Sequence, residues 1–195
     1  MPNWVDNVCK FEHATKEDIE KIIEMMSAVD GISFQKLVPM PHELDITSPA
    51  HTEEEKRQAE ENIKKYGAPD WYEWRLKNWG TKWDACHGYV NSYGFGCQTA
   101  WSMPDEFMIR LSKKFPNVGF RIRWADEDIG YNVGEVLFEN GEITETNIPE
   151  GGSPEAYAMA FVQHDIDDEQ VVEWKENGYI SDDDYDEIIK CMREV

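Results

Sequence analysis

The chain has 195 residues, 40 of them acidic and 19 basic, for a formal net charge of −21. That length fits one domain, or one domain with a large insertion; an aromatic content of 12% supplies enough large apolar surface for a core and excludes a disordered chain. No stretch approaches the roughly 20 apolar residues of a membrane span, and so acidic a surface, taken whole, excludes simple adhesion to nucleic acid or an anionic bilayer.

The opening Met1-Pro2-Asn3-Trp4-Val5-Asp6 has no basic region leading into an apolar run, so no signal peptide is expected and a cytosolic location follows. Trp4 to Phe11 reads as a strand. Thr15 offers an N-cap with Asp18 in the capping-box position, and Ile19, Ile22, Ile23 and Met26 follow at helical spacing, which predicts a helix over 16–29 that Gly31 ends. A loop with Pro39, Pro41 and Pro49 comes next. A helical insertion at about 50–80 holds a charged helix over 52–66, opened by Thr52 and stopped by Gly67, and a second helix from Trp71 to Trp79.

From Tyr93 to Ser102, large or branched residues alternate with Gly94, Gly96, Gln98, Ala100 and Ser102, which predicts a half-buried strand with one thin face. Tyr89 and Val90 belong to a preceding strand, with a turn at Asn91-Ser92. Pro104 suits the first turn of a helix whose buried side is Phe107, Met108, Leu111 and Phe115. Val118 to Trp124 and Tyr131 to Phe138 are strands, and Asn140-Gly141 turns into a last one, Ile143 to Ile148. Three acidic helices close the chain, starting near Ser153, Asp168 and Ser181. The reading is an α+β fold: a β-α-β-β-α-β core of the ferredoxin-like kind over 1–148, with the helical insertion and an added hairpin, then an acidic helical extension over 149–195.

Cys9, Cys86, Cys97 and Cys191 are scattered without the paired spacing of a zinc site, and read as small hydrophobes. No metal or cofactor is expected: there is no phosphate-binding loop, no dinucleotide fingerprint and no four-cysteine iron–sulfur pattern. Asp126, Asp128, Gly130 and Asn132 resemble a calcium loop only faintly, because the glycine falls one position early and the closing glutamate is missing. The five histidines lack catalytic context and no serine stands in a nucleophile elbow, so no catalytic residue is assigned.

Charge is segregated along the chain. Residues 71–125 carry eight basic and four acidic side chains, whereas 126–195 carry three basic and 21 acidic. The acidic third is either a solvated face or a surface that imitates a row of phosphates and fits a basic groove on a protein partner. Asp167, Asp168, Glu169, Asp182, Asp183 and Asp184 are the candidate contacts, although dipole complementarity alone accounts for aspartates in a first helical turn.

Three segments resemble a known family. They are the Met1-Pro2-Asn3-Trp4 start with Asn7, the central Asn78-Trp79-Gly80-Thr81-Lys82-Trp83-Asp84-Ala85, and Thr99-Ala100-Trp101-Ser102 with Pro104, Leu111-Ser112 and Phe115-Pro116. The family is the YubB-like ferredoxin-fold group of phage and plasmid proteins, and the resemblance covers roughly residues 1–148. It implies a ferredoxin-like fold and a mobile-element origin, and no mechanism.

The central run has two readings. Trp79 and Trp83 supply flat faces, Lys82 a cation, Asn78 and Asp84 directional polar groups, and Trp101 is placed to join them around a flat ligand such as a nucleobase. Alternatively these residues pack the insertion onto the sheet, with Gly80 supplying a left-handed turn. The first reading predicts a small-ligand or nucleotide-binding domain, with an enzyme as its extension, and the charge balance predicts a non-enzymatic protein that binds a macromolecule. A structural or assembly protein is a third reading.

Overall fold

The computed structural model describes residues 2–194, so Met1 of the opening motif lies outside the described residues. Strand β1 (Trp4–Glu12) buries Val5, Asn7 and Cys9 on one face and leads into helix α1 (Lys16–Met26), which the Thr15–Asp18 capping box opens. The helix stops at Met26, short of the expected end. Ser27–Ala28 (β2) instead pairs with Gly31–Ile32 (β3), and Lys36 Nζ donates to the carbonyls of Glu24 and Ser27, satisfying the end of α1. Gly31 therefore serves the turn rather than the helix: at φ +116°, any Cβ there would strike the Gly88 carbonyl. Helices α2 (Glu53–Tyr66) and α3 (Trp71–Trp79) form the insertion, capped by Thr52 and Asp70 and ended by left-handed Gly67 and Gly80.

Strands β4 (Cys86–Val90) and β5 (Gly94–Ala100) follow, then α4 (Asp105–Lys114), β6 (Gly119–Asp126), β7 (Val133–Glu139) and β8 (Glu142–Asn147). Pro104 is the residue before α4. The six long strands form one antiparallel sheet in the order β4-β5-β1-β6-β7-β8, with a register break in β4 between Cys86 and Tyr89. The Asn140-Gly141 turn adopts the expected positive φ at both positions. On one face, Ile22 and Met26 of α1 and Phe107, Met108 and Leu111 of α4 pack with Phe95, Phe120, Ile122 and Phe138 into an aromatic-rich core. Strand β5 is buried on both faces, not half-buried: the Tyr89 ring covers Gly96, and Gly94 sits tight against the Cys9 carbonyl. Strand β8 is exposed along its whole length.

The chain ends in α5 (Pro154–Gln163), α6 (Asp168–Glu176) and α7 (Asp182–Met192). Helix α5 lies on the opposite sheet face, where Ala156, Met159 and Ala160 meet Ala125 and Val133. Its other side joins α6 and α7 in a separate small core of Ala158, Phe161, Val171, Ile180 and Ile188. At its end, His164 places one ring nitrogen 3.1 Å from the Asp6 carboxylate and the other 3.1 Å from the Asp126 carbonyl. Both neighbours are acceptors, an arrangement that favours the protonated ring. The Asp6 hydrogen bond accordingly raises His164 above the ordinary histidine value, and His164 holds Asp6 below the usual carboxylate range. Among the described residues no helix is long and apolar enough to cross a membrane.

Candidate functional site

Gly80 reverses the chain after α3 at φ +79°, where a Cβ would collide with the Asp105 carboxylate. The segment it starts is clamped to the end of β5: Thr81 donates its hydroxyl to the Ala100 carbonyl at 2.8 Å, and Ser102 donates to the Gly80 carbonyl at 2.6 Å. The tryptophan-rich run is thereby split into an inward and an outward half.

The inward half is Asn78, Trp79 and Asp84. Trp79 is fully buried, donates Nε1–H to the Val38 carbonyl at 3.0 Å, and meets Phe34 and Trp74 edge-on. Asn78 donates to the Trp74 carbonyl and accepts from Arg110. Asp84 accepts from the Ser33 hydroxyl and from the amides of Phe34 and Ala85. Asn78 thus ties α3 to α4, while Trp79 and Asp84 fasten the run to the 33–38 segment, so all three side chains are engaged in structural bonds.

The outward half is Lys82, Trp83 and Trp101. Lys82 Nζ lies 4.6 Å from the Trp101 ring centre, 5.0 Å from Trp83 and 5.9 Å from Tyr72, and Trp4 extends the aromatic surface by packing on Trp83. Trp101 is 44% exposed, and its backbone is left-handed at φ +70°. That conformation costs about 1–2 kcal/mol for a residue with a Cβ, and a bulky side chain adopts it only when its surroundings impose it. Here they do. The Trp101 N–H donates to the Asn3 carbonyl, and its own carbonyl accepts from Asn132 Nδ2 at 3.0 Å. The buried Asp126 carboxylate accepts from Asn3 Nδ2, from the Asp128 amide and from Asn132 Nδ2, and Trp124 Nε1 donates to Asn132 Oδ1. Asp126 and Asn132, two of the residues that faintly suggested a calcium loop, thus belong to a hydrogen-bonded frame around Trp101. Asn3 lies more than 120 residues before Asp126 and Asn132, so no local signal announces that frame.

The six acidic candidates do not form one cluster. Helices α6 and α7 run antiparallel, with Lys175 pairing Asp182 at one end and Arg193 approaching Asp168 at the other. Asp167, Asp168 and Glu169 therefore lie about one helix length, roughly 13 Å, from Asp182, Asp183 and Asp184. All six are exposed. Asp167 caps α6, and Asp184 is held by the Ser181 cap of α7.

Cys9 and Cys97 are buried and Cys86 and Cys191 partly so, all as free thiols; burial pushes each of the four up from its ordinary value. Among the described residues no grouping of His, Cys, Asp and Glu has the geometry to hold a metal ion. A cleft of about 610 Å3 opens between α1 and the end of α4, floored by Met25, Phe115 and Pro116 and edged by Lys21, Lys36 and Lys114. The sequence reading did not anticipate it, because it forms only where two distant helices diverge.

A mixed sheet-and-helix domain of this architecture is a ferredoxin-like domain. The family model described as the ferredoxin-like domain in Api92-like protein matches residues 78–180, more than half of the chain, and the protein belongs to that family. The matched stretch runs from Asn78 through α6 and so takes in both the tryptophan-rich run and part of the acidic layer. No curated protein and no solved structure matches the chain.

Proposed function

We propose that the protein acts by binding, as a cytosolic accessory protein of a phage or plasmid, and that its acidic C-terminal layer contacts a basic macromolecule. The observation that carries this reading is where the layer's few cations sit. Of the three basic residues in 126–195, Lys175 and Arg193 clip the two ends of the α6–α7 pair together. Glu173, Glu176, Asp183, Asp186 and Glu187 remain exposed on the outside. The Debye length is about 10 Å at 0.1 M salt, and carboxylates on neighbouring turns of one helix add their potentials over that range. The complementary partner is a Lys- and Arg-rich groove of the kind that holds nucleic acid, with carboxylates in the place of phosphates. The motif resemblance to phage and plasmid proteins supports the mobile-element setting. Catalysis has little to work with here: His164 has both nitrogens committed to structural hydrogen bonds.

The test is capture from host lysate at low salt, comparing the wild type with an Asp183→Asn, Asp186→Asn, Glu187→Gln variant whose substitutions leave the helix caps intact. The wild type is expected to retain a basic protein that the variant binds at least tenfold more weakly and that moderate salt releases. Equal retention by the two proteins would sink the reading.

A further inference from the structure

We infer that Trp101, Trp83 and Lys82 form a second binding site, which takes a nucleobase carrying a phosphate, and that Asn3, Asp126 and Asn132 are the positioning residues that hold it open. The argument starts from where Trp101 ought to be. In β5 the residues Phe95, Cys97 and Thr99 point into the core, and the alternation would send Trp101 after them. The left-handed turn at Trp101 breaks the alternation and leaves the residue 44% exposed. A packing role does not require this.

The frame around the turn is more than packing needs as well. Both backbone polar groups of Trp101 are gripped, one by the Asn3 carbonyl and one by Asn132, and the buried Asp126 carboxylate holds Asn3 and Asn132 in place. Asn3, Trp101 and the Asp126–Asn132 stretch come from three separate segments, so the strained geometry is fixed from outside the turn. Preorganised strain of this sort is characteristic of ligand sites.

The chemistry of the ligand follows from Lys82. The chain has about two acidic residues for each basic one, yet Lys82 has no carboxylate within ion-pair distance among the described residues and is surrounded by aromatic rings. Its ammonium already occupies the position a bound cation would take over the ring faces, which disfavours a cationic ligand. A flat ring bearing an anion fits both features, stacking on the outer face of Trp101 while its charge meets Lys82. The surrounding 71–125 segment has a basic excess that helps an anion approach. Such a ligand is a free nucleotide or a splayed base of a single strand, which present the same chemistry. This site is independent of the acidic layer.

The experiment is fluorescence anisotropy of a short labelled oligothymidylate at low salt, with thymidine monophosphate and ribose phosphate as competitors. Wild-type protein is expected to bind the oligonucleotide. Trp101→Ala and Lys82→Gln should each weaken binding about tenfold, Trp101→Phe should keep most of it, and Lys82→Gln should lower the salt slope by about one. Asn132→Ala, which leaves the rings in place but frees the turn, should also weaken binding. Competition by the mononucleotide at equal nucleotide concentration assigns the site to free nucleotides, and competition by polymer alone assigns it to single strands. The Asp183→Asn, Asp186→Asn, Glu187→Gln variant should bind as well as the wild type or better. No binding of either probe by the wild type, wild-type affinity in Trp101→Ala, or ribose phosphate competing as well as the nucleotide would each overturn the proposal.

Discussion

The two faces of the sheet are covered by different means. On one side, α1 and α4 pack through Phe, Trp, Met and Leu side chains into a continuous core that reaches the insertion through Phe34, Trp74 and Trp79. On the other, α5 meets the sheet through Ala125, Val133, Ala156, Met159 and Ala160, and the His164 ring pins its end. Buried apolar area sets the stabilisation, at about 25 cal/mol per Å2, so the first face holds the fold together. The second is a close contact of small side chains, where fit matters more than area. The acidic helices α6 and α7 stand behind that thinner joint, attached to the sheet through α5.

Trp79→Ala is the largest expected perturbation. It removes a fully buried indole and its bond to Val38 from the thick side, and should lower unfolding free energy by about 3–5 kcal/mol in urea denaturation. A loss below about 1 kcal/mol would mean that the insertion is held by other contacts. Ala160→Leu tests the thin side. Ala160 is fully buried in the contact between α5 and the sheet, so overpacking should cost about 1–3 kcal/mol by the same measurement. A neutral result would show that α5 is free to shift.

His164→Gln is the smallest of the three, at about 1 kcal/mol for a partly exposed pair, and it depends on pH. His164 is raised in the folded state, so its contribution is complete below the ordinary histidine value of about 6.5 and is lost as pH rises through the raised value. Asp6 is lowered, so its contribution is lost only as pH falls through its depressed value. The deficit of the variant should therefore be full near pH 5 and shrink under alkaline conditions. A deficit constant across that range would mean that the ring is neutral in the folded protein.

Much of the fold was legible because local chemistry and tertiary structure agree. The capping boxes at Thr15 and Thr52, the Asn140-Gly141 turn and the span of α3 all follow from short-range rules. The end of α1 was not legible, because Gly31 looks like a helix stop but answers to Gly88, more than fifty residues away. The closing of β5 was hidden because it depends on which side of the neighbouring strand the Tyr89 ring takes, and on the Cys9 carbonyl against Gly94 from a strand 85 residues earlier. Within the candidate site, sequence brought Lys82, Trp83 and Trp101 to notice. It had no means of separating them from Trp79 and Asp84, since the division depends on the turn at Gly80 and its clamp to Ala100 and Ser102. Nothing in a tryptophan's neighbours announces a positive φ, so the exposure of Trp101 became visible only with its frame.

The exposed strand β8 has a consequence for how the protein behaves in company. A sheet border offers unpaired amides and carbonyls to any passing strand, which is a common route to aggregation. This border displays Glu142, so a second copy arriving edge to edge would bring carboxylate against carboxylate there. At the opposite border, the register break in β4 and the positive φ of His87 bend the strand out of a pairing line. Acidity at one border and irregular geometry at the other thus work against the edge-to-edge pairing that an open sheet invites.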